Sequence, residues 1–169
     1  MRAFLDKLYD AAGYAAAFFM VGTLLMVVAG IADRMFALGL RGTDMYAGYS
    51  MAASGFLALA HTLKRGEHIR VALILQAVAP KAKHALEIWS HAVGTLLSGA
   101  FAFYAIRLAY QSHEFNDIST GNDATPLWIP QIPMAVGAIV LCIALLDDLL
   151  LEFRGKRVAL ESEEAVHSE

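Results

Sequence analysis

Six histidines, one cysteine and a scatter of carboxylates are the residues here that could carry chemistry. Two of the histidines raise a specific idea. His61 and His91 each stand near the end of an apolar block. A b-type haem in a membrane bundle takes one histidine from each of two facing helices at matching depth. His84 lies seven residues before His91, on the same helical face, and reads as interfacial. The competing reading is that all three are ordinary histidines at a membrane–water boundary, and this is the reading preferred. No H-E-x-x-H, phosphate loop or nucleophile motif occurs, so no enzyme, catalytic residue, cofactor or metal is expected. Cys142 is alone and forms no internal disulfide. With a net charge of −3 and no basic surface pattern, a nucleic-acid partner is not expected.

The stretch HTLKRGEHIRVALI, residues 61–74, packs charge between apolar blocks. Those blocks define the fold. The chain is 58% hydrophobic and 17% charged, with a mean hydropathy of +0.53. Soluble domains are nearer a quarter charged. A helix rises ~1.5 Å per residue, so ~20 apolar residues cross a ~30 Å hydrocarbon core. Residues 11–32, 45–63, 85–106 and 130–151 are read as four such spans. The first has no charge and no polar stripe, as a soluble amphipathic helix would have. It also exceeds the ~7–15 residues of a signal-peptide core, so it reads as a retained span. The predicted fold is an all-α integral membrane protein of four transmembrane helices. Residues 1–152 form one membrane domain and residues 153–169 a solvated tail.

Positive charge orients the spans. Ten of the 13 Lys and Arg fall in the N-terminal segment, the loop between spans two and three, and the tail. Arg34, Arg41 and Arg107 lie on the other side. Both termini and the middle loop are therefore expected in the cytoplasm. The loop QSHEFNDISTGNDATP has acidic residues and no Lys or Arg, which suits the outer side. Residues 69–80 are too short to span. One reading is an interfacial helix or turn; the other is an extension of span three bent at Pro80.

Within the spans, Gly94, Ser98 and Ala102 share one face of span three. Gly48 with Ala52 and Gly13 with Ala17 do the same on spans two and one. Small residues let membrane helices approach closely, so these faces are expected to pack. Pro126, Pro130 and Pro133 are assigned to the start of span four, where first-turn N–H groups have no internal partner. Glu87, Asp147 and Asp148 fall within two turns of the cytoplasmic boundary and are expected to pair with Lys or Arg. No Lys, Arg, Asp or Glu lies near the middle of a span. A transporter acting alone by ion or proton coupling usually needs one there.

Taken together, the chain resembles the small membrane subunit (DctQ-like) of TRAP, tripartite ATP-independent periplasmic, transporters. The closest local match is Arg65, Gly66, Glu67, His68, Ile69, Arg70, Val71, although Ala72 stands where the family has an aspartate. The proline-rich start of span four with Trp128 and Gly137, and Arg34 with Asp44, add looser matches over roughly residues 10–152. The resemblance implies a scaffold subunit of a sodium-coupled secondary importer of organic acids in the bacterial inner membrane. Its implied partners are a larger membrane transport subunit, a periplasmic solute-binding protein and membrane lipids. Lys64, Arg65, His68 and Arg70 are the expected contacts to lipid headgroups or to the large subunit. The alternative is a membrane haem or quinone anchor, cytochrome b-like, built on His61 and His91.

Overall fold

A computed structural model describes residues 2–65 and 80–153. Those residues form four long helices: α1, Arg2–Phe36; α2, Thr43–Lys64; α3, Pro80–Glu114; and α4, Trp128–Phe153. Residues 66–79, on which the interfacial-helix reading falls, and the tail from 154 lie outside the described residues. α1 and α3 each have 35 residues, about 52 Å at ~1.5 Å per residue, and overrun a ~30 Å core. α1, α3 and α4 are long and apolar enough to cross a membrane. α2 falls short in hydropathy rather than length, because Tyr46, Tyr49, Ser50, Ser54 and His61 punctuate it.

The packing order accounts for that. α1 packs on α2, α2 on α4, and α4 on α3, with a few contacts from α1 to α4. The helices stand in the row α1–α2–α4–α3, and α1 and α3 do not pack on each other. α2 is therefore flanked on two sides by protein, where its polar groups are shielded from lipid. The outer members α1 and α3 instead expose Phe18, Leu24, Val28, Leu96, Phe103 and Tyr104. The buried seam is made of small residues. Ala12 and Ala16 on α1, Ala53 and Ala60 on α2, and Ala138 and Ala144 on α4 are all buried. Small side chains bring helix backbones together where dispersion contacts replace the hydrophobic drive that lipid removes. The closest approach is Gly137 on α4, where an added Cβ would lie 2.5 Å from the Phe56 carbonyl oxygen of α2.

The small-residue faces divide. On α3, Ser98 and Ala102 are buried and Gly94 stands opposite Leu145 of α4. On α1, an added Cβ at Gly13 would lie 2.9 Å from the His61 ring, but Ala17 is exposed. On α2, Gly48 and Ala52 are exposed, and nothing lies within 4 Å of a Cβ at Gly48. That pair faces out of the row, because Ala47, Ala53, Ser54 and Leu57 supply the buried face instead. One proline also departs from expectation. Pro130 is within the first turn of α4, but Pro133 is inside the helix, past the first-turn positions whose N–H groups lack partners.

The helix ends follow local chemistry. α3 is described from Pro80 onward. α3 closes in a Schellman turn: Asn116 is left-handed (φ 51°), its N–H donates to His113 O, and Asp117 N–H donates to Ser112 O at 2.9 Å. The chain then folds back as a small hairpin. Ile118 bridges Pro126, and Ser119 N–H donates to Thr125 O at 2.8 Å. This loop docks on the first turns of α2. Gly42, left-handed at φ 80°, lies so close to Asp123 that a Cβ would come within 2.7 Å of Asp123 Cβ. The Tyr49 hydroxyl reaches Asp123 Oδ2 at 3.2 Å, and Ser119 Oγ donates to Asp123 Oδ1 at 2.8 Å.

Those hydrogen bonds have a pH consequence. Desolvation pushes the Asp123 carboxyl upward. Hydrogen bonds from Thr125, Ser119, its own backbone and Tyr49 outweigh it and hold the group below its ordinary value of 3.8. A lowered carboxyl adds stability above its unfolded value and loses it as pH falls through the folded one. Protection of the amides across residues 117–127, their exchange relative to an unfolded chain at the same pH, is therefore expected to stay high at neutral pH and to fall below about pH 3.8. Asp123→Asn should lower that protection already at neutral pH.

Candidate functional site

The ionisable groups that α1, α2, α3 and α4 bring together collect where α2 and α4 end and α1 and α3 begin. The α4 register explains much of this. Val140, Ala144, Asp148 and Glu152 are each four apart, so the buried stripe turns acidic in the last turns of the helix. Asp148 is 6% exposed and Glu152 3%. Buried carboxylates require partners.

Lys64, the last residue of α2, meets that demand. Its ammonium donates to Asp147 Oδ2 and, at 3.2 Å, to Asp148 Oδ1. It also sits 5.2 Å from the centre of the Tyr9 ring of α1, within cation–π range. Tyr9 is 2% exposed, and with it Ala12, Ala60, Val140 and Ala144 form a buried apolar cluster. Lys64 thus ties three helices together. Of the basic residues expected to meet lipid or a partner, Lys64 is directed into the row and committed to Asp147 and Asp148. Arg65, the α2 C-cap, is exposed. His68 and Arg70 lie outside the described residues.

Two further pairs were not foreseen from sequence. His84 Nδ1 lies 3.1 Å from Glu152 Oε1, joining α3 to α4. His61 Nδ1 lies 3.5 Å from Asp10 of α1. The first could have been suspected from the four-residue spacing that carries the buried stripe of α4 into Glu152. On α3, Glu87 has Lys83 at 3.9 Å, a half-exposed helical pair of small energetic weight. The haem reading gains no support from this geometry. His61 turns toward α1 against Gly13, while His91 Nδ1 is 2.7 Å from the Glu87 carbonyl of its own helix.

At the opposite end, Arg34 and Asp44 pair at 2.8 Å across the α1–α2 turn, both largely exposed. With Asp33, Arg41 and Asn122 they rim a shallow polar hollow. Nothing in either cluster places a nucleophile beside a base.

A helical chain whose charged groups sit at its helix ends, with long apolar surfaces between them, has the build of a polytopic membrane protein. Within that class, the family model for the DctQ component of tripartite ATP-independent periplasmic transporters matches residues 23–155. The chain belongs to this family. It is a transporter component and not an enzyme. The family works with a large membrane component and a solute-binding protein in a three-part system. The match takes in all of α2, α3 and α4 but omits the first half of α1, including Tyr9, Asp10 and Gly13. No curated protein and no solved structure matched the chain.

Proposed function

We propose that this chain is the scaffold subunit of a sodium-coupled secondary importer of organic acids in the bacterial inner membrane. It stands beside the larger transport subunit and helps seat the periplasmic solute-binding protein. α2 is the fourth span, shielded by α1 and α4. The termini and the α2–α3 connection are cytoplasmic, following the distribution of Lys and Arg. Arg65, His68 and Arg70 contact anionic lipid headgroups or the large subunit, and Lys64 supports that surface from within. The apolar sides of α1 and α3 face lipid or that subunit.

The observation that carries this reading is where the charge sits. The central turns of all four helices hold no Lys, Arg, Asp or Glu. Several ionised groups at the helix ends pair with one another instead, as Lys64 does with Asp147 and Asp148. Such a chain offers structure rather than an ion-coupled binding site.

Reconstitution tests it. In liposomes with an inward sodium gradient, this chain alone should move no organic acid. Uptake should appear only with the large subunit and the loaded binding protein present. Uptake by this chain alone would overturn the reading. On the same basis, Arg70→Glu should lower co-purification with the large subunit severalfold. Unchanged recovery and uptake would remove Arg70 from the interface.

A further inference from the structure

We propose that His84, Glu87 and Glu152 form a binding site for a divalent transition-metal ion that clamps the start of α3 to the end of α4. His84 and Glu87 are three apart and share a face of α3. Glu152 reaches them from the last turn of α4. One ligand atom from each residue lies within 4.8 Å of the other two. This arrangement brings together an imidazole and two carboxylates from two helices, so it is more than an acidic surface patch.

Glu152 makes the case. Its side chain is 3% exposed, and its hydrogen-bond partner among the described residues is His84. An imidazole carries positive charge only when doubly protonated. A buried carboxylate at this point calls for a stronger and more permanent cation, and a metal ion supplies one. The rest of the cluster suits it. Two carboxylates balance a divalent charge. The ring nitrogen selects a first-row transition ion over magnesium or calcium. Metal–ligand bonds of ~2.0–2.2 Å place ligands about 3–3.5 Å apart. His84 and Glu152 already stand at 3.1 Å. Glu87, with its ligand atom within 4.8 Å of the other two, has at most a short swing inward to make, and its contact with Lys83, at 3.9 Å and half exposed on the lysine side, is weak enough to yield. The His84 side chain is 52% exposed, which gives the ion a way in and leaves room for water in the remaining positions.

The test is calorimetric titration of the full-length chain, free of any histidine tag, in mild detergent after treatment with EDTA. Zinc chloride is the probe. One ion per chain should bind saturably and raise the thermal unfolding midpoint. His84→Ala and Glu152→Gln should each weaken binding at least about tenfold and abolish the thermal shift. His113→Ala should change neither, since His113 packs on Trp128 at the far end of the row. Should Glu152→Gln fail to fold, Glu87→Gln reads the same loss. Absence of saturable binding by the parent chain overturns the proposal. So does equal affinity in His84→Ala and the parent, which would assign the zinc to other histidines.

Discussion

Replacing Lys64 with methionine is expected to lower the thermal unfolding midpoint in mild detergent by on the order of 10 °C. Methionine keeps the length and apolar stem of lysine but takes away the ammonium that Asp147 and Asp148 share. Both carboxylates are mostly buried, with side-chain exposures of 20% and 9%. Removing one member of a buried charge pair costs about 3–5 kcal/mol, because a buried charge is left behind. The same change takes the cation from the face of Tyr9, so α1 loosens together with α2 and α4. Restoration distinguishes this account from general misfolding. Adding Asp147→Asn and Asp148→Asn to Lys64→Met should recover much of the lost stability, since neutral amides no longer need the ammonium. A triple variant as unstable as the single one would show that Lys64 acts by packing, through its stem.

Gly137→Ala is the second large effect, and its sign is unusual for a helix. Alanine is normally the better helix former by ~1 kcal/mol. Here its methyl group would stand 2.5 Å from Phe56 O and 2.6 Å from Phe56 C. Those are backbone atoms of α2, so no side-chain rotation relieves the clash. α2 must move off α4 as a unit. Overpacking of this kind costs ~1–3 kcal/mol. The expected result is a lower unfolding midpoint for Gly137→Ala and a lower still one for Gly137→Leu. Gly48→Ala is the control, because nothing lies near its added carbon; it should leave stability unchanged or slightly raised. Equal behaviour of the two alanine variants would mean that α2 and α4 are not in this contact.

These two residues also show what a sequence of this kind discloses. Apolar length alone marks where helices lie, and α1, α3 and α4 are apolar enough to be read as spans on that ground. Which face of a helix packs is another matter. In water a polar stripe reveals the exposed side, whereas lipid is as apolar as a leucine core, so a membrane helix needs no such stripe. For that reason Gly48 with Ala52 reads as plausibly as Gly94 with Ser98 and Ala102. The first pair faces outward and the second lies against α4. Helix order was hidden for the same reason. Neighbours in sequence were adjacent for α1–α2 and α3–α4, but the α2–α4 contact joins segments over 60 residues apart. The pairing of Lys64 with Asp147 and Asp148 depends on that contact. Sequence did indicate that these carboxylates needed a cation, though not which one. The first resemblance was similarly partial: the basic stretch that suggested the family is mostly outside the described residues, while the family match itself runs through 23–155.

The order α1–α2–α4–α3 has a mechanical consequence. Four helices in this order make a broad, shallow assembly, bent enough that α1 touches α4 and Phe56 of α2 stacks on Phe101 of α3. In the function proposed above, the solute path is lined by the larger subunit. The broad assembly does have leverage. A neighbour gripped along its broad side gains a keel, and rolling or tilting that neighbour in the bilayer means dragging the full length of the row through lipid.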